Sequence, residues 1–309
     1  MVMQAATTVQ EDFLGELFAS GLLIASGVAG VYGHGQVFDE VLAAVDGWVA
    51  RSGARDMPEQ LRFPPLLPRH HLEAYGYLES FPHLAGTVFG FDGSEAQALT
   101  QADRASRHED WSEFQTITDL TLTPAACYAA YPAMAARGPL PEGGATLDLG
   151  RAWVFRHEPS GDPARMQSFH MHELVRLGEP AHVLAWRDEW RDRAVVMLRS
   201  LGLDAQTDVA SDPFFGRSGR MLARSQRDQE LKFELLVPIA GPEPTAVASF
   251  NYHHDHFAAT CGITSAGGEP AHTACLGFGL ERIALALFRT HALDPGCWPS
   301  GVRSALWPK

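Results

Sequence analysis

The stretch Phe155-Arg156-His157-Glu158, followed by a loop rich in proline and glycine and then by Arg165-Met166-Gln167-Ser168-Phe169, decides how this chain is read. Residues 151–158 and 168–176 have the pattern of two strands joined by the loop 159–165. A second stretch, Gly277-Phe278-Gly279-Leu280-Glu281-Arg282, opens an apolar helix over 276–288, read as the last helix of the chain. Two guanidinium forks in such settings can grip opposite ends of a polyphosphate and offset charge on an attacked phosphorus. Phe169 can stack on a base, a contact that contributes about 1–3 kcal/mol. Taken singly, Arg156 and Glu158 read more readily as a cross-strand ion pair and Phe169 as core. The order and spacing of all of them favour a nucleotide site.

Working outward, Val37, Val41, Ala44, Val45 and Trp48 recur at helical spacing and predict a helix over 36–52, ending at Gly53. Short alternating segments lie near 84–91 and 115–121, and an apolar helix is predicted from Pro124 to about Met134. Trp186, Trp190, Ala194, Met197 and Leu201 form the stripe of a helix over 185–201. Strands are predicted at 231–238, 245–252 and 257–263. Sequential strands with helices between and beside them suggest an antiparallel sheet in an α+β domain.

The two arginine stretches resemble motifs 2 and 3 of class II aminoacyl-tRNA synthetases, and of seryl-tRNA synthetase in particular. The resemblance implies a class II synthetase-like catalytic domain, α+β, with an antiparallel sheet flanked by helices. It implies that Arg156 and Arg282 are catalytic and that ATP is held by Arg156, Glu158, Phe169, Glu234, Ser249, Asn251 and Arg282. Here Lys232-Phe233-Glu234 resembles the family's acidic strand and Ser249-Phe250-Asn251 its serine/asparagine strand. Mg²⁺ is expected on the ATP phosphates, although Thr245 stands where the family has a glutamate. The helix over 36–52, leading to Arg62-Phe63-Pro64-Pro65, matches motif 1 by position, which implies a homodimer.

Leu122-Thr123-Pro124-Ala125-Ala126-Cys127 falls where bacterial seryl enzymes hold the amino acid, with Ala125 at the threonine position and Cys127 at the glutamate position. Glu173 shares a strand face with Phe169, and Cys275 precedes motif 3. Cys127, Glu173 and Cys275 resemble the zinc site of archaeal-type seryl enzymes. Three protein ligands for Zn²⁺ leave a fourth position for a substrate amine. Buried thiols are the plainer reading of the two cysteines. His253-His254-Asp255-His256 is a rival cluster, but as a strand it would split His253 from His254 and His256. It is expected to pack near Asn251.

The chain of 309 residues carries a formal net charge of -13 and a pI near 5.5, with 46% apolar and 20% charged residues. That charge makes a large tRNA partner unlikely. The acidic residues Glu11, Asp12 and Glu16 precede the apolar stretch 22–31, unlike a secretory leader. That stretch is also too short and too glycine-broken to cross a membrane. A cytoplasmic protein is expected, with Cys127, Cys261, Cys275 and Cys297 reduced. No coiled-coil arm for tRNA is recognisable, and one catalytic domain over 1–309, with 1–20 as a flexible N-terminus, is expected.

The nearest resemblance, over about residues 20–300 and most specific at Ala271-His272-Thr273-Ala274-Cys275-Leu276-Gly277-Phe278-Gly279, is to seryl-synthetase-like amino acid:carrier protein ligases. It implies activation of glycine or alanine with ATP and transfer to the phosphopantetheine thiol of a carrier protein. Arg217, Arg220, Arg224 and Arg227, spaced for one helical face, suit an acidic carrier protein or form a solvated charged face. The alternatives are a seryl-type synthetase acting on tRNA and a non-catalytic synthetase paralogue.

Overall fold

The computed structural model describes residues 12–241 and 243–308, and for Arg217 and Ser218 the backbone alone. Residues 12–19 are helical (α1) and bury Phe13 and Leu17 in the core, so this part of the expected flexible N-terminus is folded. The hairpin β1 (Leu23–Ala25) and β2 (Tyr32–His34) leads into α2 (Gln36–Gly53). Then come β3 (Glu59–Gln60), β4 (Leu66–Pro68), α3 (Arg69–Ala74), α4 (Tyr77–Ser80) and β5 (Thr87–Phe91). The helix α5 (Glu95–Ser106) starts on a capping box between Ser94 and Gln97. β6 (Gln115–Leu122) joins β4 and β5 in a three-stranded sheet.

A tight 3₁₀ turn over Ala126–Ala129 and the short α6 (Ala130–Ala135) stand where one helix from Pro124 was expected. β7 (Ala145–Phe155) and β8 (Ser168–Gly178) form the long central hairpin, and both reach further from the loop than the pattern indicated. A bulge between Leu149 and Ala152 leaves Arg151 at a φ of 49°. α7 (Pro180–Ser200) begins with proline in its first turn. β9 (Gln206–Val209), α8 (Gly216–Asp228), β10 (Lys232–Val237) and β11 (Thr245–Tyr252) follow.

Residues 257–263 are not a strand. Residues 257–261 belong to α9 (His256–Cys261), which stops at Gly262 with a φ of 78°. The apolar run Phe257-Ala258-Ala259 suits either state, and the left-handed glycine ends it as a helix. Helix also does not begin at Leu276: β12 (His272–Gly279) carries the chain to Gly279, where α10 (Leu280–His291) starts. A further helix, α11 (Ser300–Leu306), follows it.

The main sheet has the order β3-β7-β8-β12-β11-β10-β9. Every pairing is antiparallel except the edge strand β3, which runs parallel to β7. This mixed edge corrects the purely antiparallel expectation. On one face, Leu174, Leu235, Phe250, Leu276 and Phe278 pack against α2, α7 and α10 through Phe38, Val45, Trp190 and Ile283. Burying each such side chain contributes about 1.5–3 kcal/mol. The opposite face carries Val175 and Leu177, covered at one end by α6 and α9 through Tyr131 and Phe257. The rest of that face is the site. Among the described residues no helix is long and apolar enough to cross a membrane.

Candidate active site

Register places the polar residues. Glu234, Ser249, Gly277 and Glu173 are direct partners across four neighbouring strands, and so are Lys232, Asn251, Cys275 and Val175. Cross-strand partners point to one face, so all the residues expected from β10, β11, β12 and β8 converge there.

At one end, Phe169 and Arg282 line one cleft with Pro163, Ala164, Met166 and Glu281. The Arg156 guanidinium lies 5.6 Å from the Phe169 ring centre. Arg282 donates from Nε to the Ala164 carbonyl and from Nη1 to the Ala246 carbonyl, both at 2.8 Å. This ties the loop after Arg156 to β11. Arg156 donates from Nε to the Pro124 carbonyl at 3.2 Å, which links the cleft to the segment leading to Cys127. No ion pair joins Arg156 to Glu158. Their short link is the Glu158 N–H donating to the Arg156 carbonyl. A Cβ at Gly277 would meet the end of Met171 at 2.4 Å, whereas one at Gly279 would meet only ordinary contacts.

At the other end, the ligand atoms of Cys127, Glu173 and Cys275 all lie within 4.8 Å of one another, and all three residues are buried. The Cys127 N–H donates to Glu173 Oε2 at 2.5 Å. Burial, and after it the neighbouring Cys275, pushes the Glu173 carboxyl up to about 8. A hydrogen bond with Cys127, and then His253 and Asn251, hold the Cys275 thiol well below its ordinary range despite its burial. Three anionic donors without a compensating charge would repel one another here. Two thiolates and one carboxylate are a donor set that fits zinc. The buried Tyr131 hydroxyl turns toward the same group, beside Cys127.

His253 packs near Asn251 as expected, and Lys232 is a further residue here that the sequence did not assign to the site. His253 Nε2 lies 3.6 Å from Cys275 Sγ, and Asn251 Nδ2 lies 3.4 Å from the same sulfur. His254 does not share a strand face with His256: the chain turns at 253–255 and His256 opens α9. Lys232 Nζ sits between Asp212 at 2.6 Å and Glu234 at 3.0 Å. Its place two residues before Glu234 was the available signal. Among the described residues, no cluster of three His, Cys, Asp or Glu donors includes Glu234.

No family model matches the sequence. Two proteins of Bradyrhizobium diazoefficiens, amino acid–[acyl-carrier-protein] ligases 1 and 2, are each 46% identical over 289 residues, 93% of this chain. The match spans 88% of the first and 86% of the second. The chain belongs to the amino acid–[acyl-carrier-protein] ligase family. A type-2 serine–tRNA ligase of Methanopyrus kandleri is 28% identical over 163 residues, 48% of this chain and 30% of that protein. In structure, the chain is similar to the M. kandleri seryl-tRNA synthetase solved with A. aeolicus tRNASec. The TM-score is 0.80 at 20% identity, covering 95% of this chain and 60% of that one. The cytoplasmic serine–tRNA ligase of Naegleria fowleri, solved with AMP, gives 0.69 at 14% identity, covering 96% and 59%. These likenesses show the class II α+β fold.

In this ligase-family fold α8 stands apart from the site face. Arg220, Arg224 and Arg227 are exposed on it, beside exposed Phe215, Met221 and Leu222. The Arg217 side chain lies outside the described residues. Arg224 reaches Asp228 at 3.7 Å, a solvated pair of small energetic weight. Gln226 anchors the helix: it accepts from the Asp212 N–H at 2.7 Å and donates to Asp212 Oδ2 at 2.8 Å.

Proposed function

We propose that the chain activates glycine or alanine with ATP to an aminoacyl-adenylate and passes it to the phosphopantetheine thiol of a carrier protein. The observation that carries this reading is the single sheet face on which the arginine–phenylalanine cleft and the Cys127–Glu173–Cys275 group adjoin. Phe169 would stack on adenine, with Arg156 and Arg282 on the phosphates. Glu158, Glu234, Ser249 and Asn251 complete the proposed ATP contacts, and Mg²⁺ would arrive on the phosphates. Zn²⁺ held by Cys127, Glu173 and Cys275 would supply a Lewis-acid position for the substrate's α-amine. The residues then hold the carboxylate toward the α-phosphorus, an effect of positioning and electrostatics that requires no protein nucleophile.

A small substrate is favoured by Tyr131. Its ring is locked against Phe257, with centres 4.5 Å apart, and fills the space beside Cys127. The acceptor is inferred from the carrier-ligase relatives, the net charge of -13 and the basic face of α8, which suits an acidic carrier. Residues 1–309 are read as one catalytic domain working as a homodimer in the cytoplasm. Serine is the second reading for the amino acid, favoured by the Tyr131 hydroxyl beside Cys127. Pyrophosphate exchange measured with all twenty amino acids tests the proposal. Exchange strongest with glycine or alanine is expected. Serine best by an order of magnitude would overturn the small-substrate assignment.

A further inference from the structure

β12 stops pairing with β8 at Gly279 and Met171, where the chain turns into α10. The next residue on β8 beyond that pair is His170, and its N–H has no strand to donate to on that side. Instead it donates to the carboxylate of Glu281, at 2.9 Å from Oε1 and 2.8 Å from Oε2. The His170 side chain adds Nδ1 at 2.8 Å from Oε1. Both residues are buried, and the Trp153 ring covers the imidazole with centres 3.7 Å apart. A buried carboxylate is costly unless its oxygens are satisfied, and here a single residue of β8 satisfies both. The pair lies in the chain between the two groups whose separation matters most. Phe169 precedes His170, and Arg282 follows Glu281.

We propose that the His170–Glu281 pair positions the site by fixing the start of α10 against β8, so that Arg282 and Phe169 are held at the separation one nucleotide needs. Glu281 lines the same cleft as Phe169 and Arg282, but both its oxygens are engaged by His170, which assigns the pair to positioning. The inference rests on the nucleotide reading of Arg282 and Phe169. His34 Nε2 also lies 3.9 Å from Glu281 Oε1, and the ligand atoms of His34, His170 and Glu281 fall within 4.8 Å of one another. None of their polar atoms is among the buried ones that lack a partner, so no cation is required there.

The test is pyrophosphate exchange by Glu281→Gln, which keeps the side-chain shape but turns an amide toward the His170 N–H. A misplacement of reacting groups by about 1 Å costs on the order of 10²-fold, so a fall of that order in kcat with a raised KM for ATP is expected. Zinc content and the KM for glycine should stay unchanged. His170→Phe keeps the backbone donor and should lose less, and it carries the test if Glu281→Gln unfolds at the assay temperature. In an Arg282→Lys background, Glu281→Gln should cost little more, because the pair acts through that arginine. Unchanged kcat and KM for ATP in Glu281→Gln, or a full additive loss in the Arg282→Lys background, would overturn the proposal. So would a second equivalent of bound metal that His34→Ala removes. Absence of exchange in the unaltered protein would instead refute the adenylation reading on which the pair depends.

Discussion

Glu173 is the residue on which the proposed zinc binding turns. With its carboxyl raised from 4.5 to about 8 by burial and by Cys275, the folded metal-free chain holds a proton that the unfolded chain releases. The stability this contributes is full below 4.5 and is lost as pH rises through about 8. Zinc held as proposed must displace that proton, so zinc affinity of metal-free protein should climb with pH through about 8, and climb further above it, because the hydrogen bond with Cys275 and burial raise the Cys127 thiol well above its ordinary range. Calorimetric zinc titrations across that range check this, and in Glu173→Gln the contribution of this proton should vanish. Elemental analysis should find about one zinc per chain. Cys127→Ala or Cys275→Ala should abolish it, and full metal in either would rule out the ligand set. Tyr131→Phe tests the pocket: if its ring sets size and its hydroxyl plays no part in selection, the preference for glycine or alanine over serine should not change. Cys127, Glu173 and Cys275 were legible because each sits beside a recognisable stretch. Tyr131 and Lys232 were not assigned their places, nor was His253 placed against Cys275. His253 meets Cys275 only because Asn251 pairs with it across a strand, and register between distant segments is not written in either segment.

Among the elements, α8 is the one whose role can be separated from catalysis. Gln226 links it to Asp212 and so to Lys232, and its Arg220, Arg224 and Arg227 are exposed. Changing Arg220 and Arg224 to Glu should therefore weaken thioester transfer by about tenfold or more, while pyrophosphate exchange stays nearly intact. Loss of both half-reactions would place these arginines in the active site or the fold. Asp212→Asn should act differently. It removes the charge that holds Lys232, so exchange should fall together with transfer. Long periodic elements such as α2 and α7 were legible, since a stripe of apolar residues fixes a helix wherever it lies. Short ones were not. In 256–261, six residues held between a turn and Gly262, the choice between helix and strand rests on tertiary packing of Phe257 against Tyr131.

For the molecule as a whole, one sheet face bears the candidate site and the other packs against α2, α7 and α10. The α+β class was legible from the order of elements. The parallel edge strand β3 was not, because two residues carry no period. The central claim concerns the acceptor, where the fold is shared with enzymes named for tRNA and the net charge of -13 repels a polyanion. The most direct measurement offers labelled glycine and ATP to the protein, with phosphopantetheinylated carrier protein in one reaction and total tRNA in another. A labelled thioester on the carrier, lost when the phosphopantetheine is absent, is the predicted result. Label on tRNA, with none on any carrier protein, would contradict the account.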